Sequence, residues 1–188
     1  MKKILSVALV MILAFSLVAC GGEKENAKKY DIADSTALLT AVWDNVPEDK
    51  KFMSMGGDGQ EAFVENAPGA YTLSDPEALE SVFGFPADQV ANIDNAASLM
   101  HGMMQNYFTA GAYHVKDAAT IGDVTAAIQT SLENMRWLCG TPEKFAIYTV
   151  DDYVISVYGL KDNLDSFAAA LKTAYPEFVT VCDKNIAE

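Results

Sequence analysis

Short catalytic signatures are what this chain lacks most visibly. No GxSxG elbow, P-loop, HExxH helix or CxxC pair occurs in its 188 residues. Two histidines, His101 and His114, are the whole supply of side chains that ordinarily titrate near neutral pH. That scarcity argues against an enzyme, and nothing calls for a cofactor. Basic residues are also few: 13 Lys and Arg stand against 26 Asp and Glu, a net charge of −13. A surface of that sign repels nucleic acid and anionic headgroups, which excludes polyanion binding; it suits solubility and spacing from an anionic envelope. The apolar run near the N-terminus, Ile4 to Ala19, has only 16 residues, short of the roughly 20 that a membrane-crossing helix needs. What the chain does have is apolar content, 51% of its residues, ample for a real core.

Lys2 and Lys3 precede that run, and Leu17-Val18-Ala19-Cys20-Gly21 closes it. A basic start, an apolar stretch and small residues ahead of a cleavage point make the layout of a secretory signal. The tetrad ending in cysteine resembles the lipobox of bacterial lipoproteins. The resemblance implies cleavage before Cys20, diacylglycerol on its sulfur, and a chain held by that residue on the extracytoplasmic face of the cell membrane. Residues 1–19 are then a signal peptide, and the remaining 169 fit one domain with an N-terminal extension. Without Lys2 and Lys3 the balance is 11 basic against 26 acidic residues, or −15.

Residues 20–33, from the lipidated cysteine through Gly21, Gly22, Glu23, Lys24, Glu25, Lys28 and Lys29, are polar and read as a flexible tether with a reach on the order of 20 Å. Residues 34–105 read as a helical and irregular extension. Asp34-Ser35 caps a helix carrying Leu38, Leu39, Val42 and Val46 before Pro47. Pro76 opens a second helix that runs to Phe83 and Gly84, and Pro86 opens a further turn. Residues 106–188 carry the clearest order. Tyr107–Lys116 is strand-like; Ile121, Val124, Ile128, Leu132 and Met135 form one helical stripe. Two strands flank Asp151-Asp152; Leu164, Phe167, Ala168 and Leu171 line another helix before Pro176, and Phe178–Cys182 is a last strand. Strand, helix, strand, strand, helix, strand predicts an α+β fold: a ferredoxin-like βαββαβ antiparallel sheet with two helices on one face. Ala96–Gln105 also looks extended and fits that order poorly, because a hairpin into Tyr107–Lys116 would claim a side of a strand already flanked on both.

Several residues invite chemistry. Cys139, just past the first helix of that order, and Cys182, at the end of its last strand, fall near one edge, where a disulfide competes with two separate thiols. Met100-His101-Gly102-Met103-Met104 offers the thioethers and imidazole that suit soft copper, yet strand alternation would split them between two faces, and methionines commonly fill core gaps. The histidines sit too far apart for one metal. Met55-Gly56-Gly57-Asp58-Gly59-Gln60 has too few oxygen ligands for a calcium loop, and Asp151-Asp152 reads as a solvated turn. Tyr107, Phe108, Tyr113, Tyr148, Tyr153 and Tyr158 lie on strands, where they would either form an exposed aromatic patch or be covered by residues 34–105.

The run Tyr107 to Asp117, the helix after it, and Tyr153-Val154-Ile155-Ser156-Val157 ahead of an acidic helix start are similar to a family of small lipoproteins of unknown function from Gram-positive bacteria, which share the lipobox, the polar tether and this strand-to-helix order. The likeness covers residues 34 to 183. Family members often have a glutamate in the first strand, where this chain has Tyr113-His114, so no role of that acid transfers. The expectation is a lipid-anchored extracytoplasmic module that binds a protein partner at the cell envelope. The alternative is capture of a small ligand or metal, with Met100 to Met104 as the place to look.

Overall fold

The computed structural model describes residues 29–58, 63–138 and 140–186. The signal segment, Cys20, most of the tether and Cys139 lie outside the described residues.

Asp34 caps α1 (Ser35–Asp44), its carboxylate accepting from the Ala37 N–H at 2.8 Å. Three short strands follow, β1 (Ser54–Gly56), β2 (Val64–Glu65) and β3 (Gly69–Tyr71), in a stretch where no sequence period holds. In α2 (Pro76–Phe83) proline takes the first turn, and Gly84, at φ 66°, closes it in the left-handed conformation that costs glycine nothing. The remaining elements are β4 (Ile93–His101), β5 (Phe108–Val115), α3 (Ile121–Asn134), β6 (Lys144–Val150), β7 (Tyr153–Gly159), α4 (Lys161–Ala174) and β8 (Val179–Asn185). All helices except α1 and α2, and all strands except β1 to β3 and β4, fall where the pattern of residues 106–188 puts them. Gly122, in the first turn of α3, has open space around it; Gly122→Ala should therefore raise stability by about 0.5–1 kcal/mol in denaturant titrations, through helix propensity alone.

The protein is α+β with one antiparallel sheet of eight strands, in the order β2-β1-β4-β5-β7-β6-β8, with β3 also on β4. This order departs from the ferredoxin-like one. There β8 would flank β5; here β4 takes that edge, Leu99 pairing with Ala110 and Met100 with Thr109, and β8 lies beyond β6, Cys182 opposite Ile147. A local hairpin partner closes a far shorter loop than a strand some sixty residues downstream, so β4 holds the contested edge. The sheet therefore runs unbroken across the expected 105/106 boundary.

The two helices expected on one face lie on opposite faces, and the strand order supplies the reason. The β5-α3-β6 and β7-α4-β8 crossovers each step over one strand in the same direction, but start from strands of opposite sense. Two crossovers of the same hand must then sit on opposite sides of the sheet. One core layer joins α1 and α4 to Ala110, Ala112, Tyr148, Ile155 and Val157. The other joins α2 and α3 to Tyr113, Ile147, Val154 and Tyr158. The central strands, buried on both faces, read as near-continuous apolar runs, as β7 does with all seven residues buried. Phe108, Tyr113, Tyr148, Tyr153 and Tyr158 thus form core and not an open patch, residues 34–105 supplying one helix to each face, whereas Tyr107 lies in the turn before β5 and is exposed.

Burial raises the pKa of Tyr113, Tyr148, Tyr153 and Tyr158, that of Tyr153 to about 12. A phenol whose folded value lies above its unfolded value of about 10 stabilises the fold fully below pH 10 and loses that contribution as pH rises through the folded value. Circular dichroism against pH should show a flat plateau to pH 10 and cooperative unfolding above it, with tyrosine ionisation at 295 nm rising in the same step. Ionisation well before unfolding would contradict the packing described.

Candidate functional site

The β4–β5 connection forms one wall of a cleft of about 250 Å³. β1 and β3 lie end to end along the same edge of β4: Met55 pairs with Met100, and Gly69 with Ser98. Where one strand leaves and the other enters, their backbones nearly touch. A Cβ on Gly56 would stand 2.2 Å from the Gly69 nitrogen, and one on Gly69 2.5 Å from the Gly57 nitrogen. The Ser98 hydroxyl donates to the Gly57 carbonyl at 3.0 Å and fastens this crossing to β4. Met55 and Tyr71 face the cleft from this side, with Phe63 and Asp58; Val82 closes it from α2.

Met100, His101, Gly102, Met103, Met104 and Gln105 form the opposite wall. Alternation would have separated them, but the strand ends at His101 and the chain turns over the cleft, so all five residues of the methionine cluster face one space. The Gly102 N–H donates to the Met53 carbonyl at 2.7 Å, and the Met103 N–H donates to His101 Nδ1 at 3.2 Å. His101 stacks on Phe52, ring centroids 4.8 Å apart, with the edge of Tyr107 at 5.4 Å. Burial pushes its pKa down, so the ring is neutral at pH 7 and, with Nδ1 accepting, carries its proton on Nε2. Tyr71 is held as a phenol: burial first, then the charges of Asp58 and Asp75, raise its pKa. At the mouth, Phe63 is 57% and Met103 78% exposed.

A second cluster lies at the other end of the sheet. His114 on β5 meets Asp94 through Nδ1 at 2.7 Å and Asp152 through Nε2 at 2.9 Å. A general base needs one ring nitrogen open to its substrate; here both face carboxylates. The cluster instead clasps β4, β5 and the β6–β7 turn. Replacing His114 by alanine leaves two facing carboxylates, one largely buried, and should cost about 2 kcal/mol of stability by denaturant titration. Asp94→Asn, at the half-exposed partner, should cost clearly less.

Asp151, expected to be solvated, is also engaged: its carboxylate accepts from the Lys29 and Tyr30 N–H groups, each at 2.9 Å. Tyr30 packs edge-on against Tyr175, 5.1 Å between centroids, and its hydroxyl accepts from the Glu177 N–H. Tyr153 donates its hydroxyl proton to the Ile32 carbonyl. The chain is thus clamped as soon as it enters the domain. Cys182 is a free thiol, buried among the α3-side residues, and burial pushes its pKa up, which disfavours the thiolate; its expected partner Cys139 is outside the described residues.

Met55, Phe63 and Tyr71 are the site residues that sequence reasoning missed. The one usable signal was the pair of glycine steps, Gly56-Gly57 and Gly69, which mark a close backbone approach. Among the described residues no helix is long and apolar enough to cross a membrane, and no group of three or more His, Cys, Asp or Glu is placed to hold a metal ion. The chain matches no family model, and no curated protein or solved structure matches it.

Proposed function

We propose that the chain is a lipid-anchored extracytoplasmic interaction module, whose methionine-lined cleft receives an apolar side chain of a partner protein beside a basic residue. The lipobox resemblance at Cys20 supports the address. The observation that carries the site is a cleft of about 250 Å³ with Phe63 and Met103 exposed at its mouth. Pockets for drug-sized ligands run from about 300 to 1,000 Å³, so this one suits a side chain better than an enclosed small molecule. Flexible thioethers adapt to varied apolar shapes, and exposed apolar residues around a cleft mark contact surfaces. Among the described residues the lining holds no Lys or Arg, and the chain carries a net charge of −13, which favours a basic neighbour in the partner.

Soft-metal capture is the weaker reading, because the Nδ1 lone pair of His101 is used by the Met103 N–H. Chemistry on a substrate is weaker still, given how His114 is enclosed. The test is titration of the full-length protein with three 12-residue peptides that differ only in a central Leu-Lys, Leu-Gln or Leu-Glu, read by methionine methyl resonances. The Leu-Lys peptide should shift Met55, Met100, Met103 and Met104 and bind tightest. Loss of the Met55, Met100 and Met104 shifts in Phe63→Ser/Met103→Ser supports the site; no shift with any peptide refutes it.

A further inference from the structure

We infer that the cleft and the membrane anchor stand at opposite poles of the domain, so that the partner segment filling the cleft is presented from the aqueous side and is neither a lipid chain nor a membrane-embedded segment. The inference rests on the anchor at Cys20 proposed above.

Lys29 and Tyr30 are fixed to Asp151 in the β6–β7 turn. Lys29 Nζ also pairs with Glu177 at 2.6 Å, and the Tyr30 and Tyr153 contacts add to the clamp. That turn sits at the His114 end of β5, because His114 pairs with Tyr153 and the Val115 N–H donates to the Asp152 carbonyl. The cleft sits at the other end, where Met100 pairs with Thr109 and Thr109 with Tyr158. Six residue steps along β7 lead from Asp152 to Tyr158, which is roughly 20 Å at the rise of a strand, and Met103 and the cleft mouth lie beyond that.

The tether decides whether the domain can turn over. Nine residues lead from Cys20 to Lys29. A chain of that length reaches at most roughly 30 Å. Bringing the cleft to the bilayer requires the tether to run back along the whole length of the domain, near its full extension. An apolar cleft is otherwise well suited to an acyl chain, so its placement is what separates the two kinds of occupant.

The test uses the full-length lipidated protein in phosphatidylcholine nanodiscs doped with a gadolinium-chelate lipid. Relaxation enhancement should be several-fold stronger at the Tyr30, Asp151 and Glu177 amides than at the Met103 and Met104 methyls. Equal or stronger enhancement at the methyls overturns the inference while leaving the anchor standing. Mass spectrometry of the N-terminal fragment checks the lipid itself. An unmodified Cys20 removes the anchor and this inference together, whereas the peptide-induced methionine shifts would still report on the cleft.

Discussion

Gly111→Ala is expected to cost about 3 kcal/mol, lowering the unfolding midpoint by roughly 6–12 °C for a chain of this size. A Cβ at Gly111 would lie 2.1 Å from the Tyr113 hydroxyl oxygen, 2.7 Å from its Cζ and 3.3 Å from Phe83 Cδ1. The tyrosine has nowhere to go. It is fully buried, with the Phe85 ring centroid at 4.3 Å. Its hydroxyl lies 3.2 Å from Ser156 Oγ, which in turn donates to the Phe83 carbonyl at 3.4 Å. Moving the ring strands these polar groups in a dry layer, at the cost of an unmade hydrogen bond on top of the strain. Tyr113→Phe alone should cost about 1 kcal/mol. Combined with Gly111→Ala it removes the nearest atom but leaves Cζ, so part of the loss should be recovered. Strictly additive losses would show that Tyr113 is not what the new methyl meets.

Gly56→Ala should be comparably damaging, about 3 kcal/mol, but confined to one region. The added Cβ would sit 2.2 Å from the Gly69 nitrogen, 2.5 Å from the Ala67 oxygen and 2.5 Å from the Pro68 carbonyl carbon. All three are backbone atoms, which no rotamer change can clear. The relief available is for β1 or β3 to leave the edge of β4. Methyl resonances of Met55 and Met100 should broaden or shift strongly and peptide titration should fail, while amides in β5, β6 and β7 keep their positions. Retention of the methionine spectrum would contradict the crossing that builds the cleft wall.

Much of the architecture is legible in the residues, for identifiable reasons. Asp34, Pro76 and Gly84 announce helix ends because caps and prolines act locally. The stripes of α3 and α4, with Ile128 and Leu164 among them, and the apolar strands around Asp151-Asp152, are long enough for periodicity to speak. Strand order is another matter. Nothing local to β8 says whether it flanks β5 or β6; the competitor for that edge, β4, decides it, and the choice then sends α3 and α4 to opposite faces. β1, β2 and β3 have two or three residues each, too few for alternation to show. The cleft escaped notice for the same reason. Its methionines were visible, but their convergence depends on where β4 stops and on partners that arrive from β1 and β3.

Where copies of a protein meet at high local density, unpaired sheet edges invite zipping into aggregates. The edges here are guarded unequally. β2 offers only two residues, too short a template. β8 is seven residues long and carries exposed Val179 and Val181, a more dangerous border. Its register slips against β6 between Ile147 and Tyr148, and such a bulge twists a strand away from flat stacking. Beyond the bulge, Asp183 and Lys184 place opposite charges along the border, tied back to Lys144 and Glu133. A second copy docking there would have to desolvate both ion pairs, so a high local concentration need not become self-association.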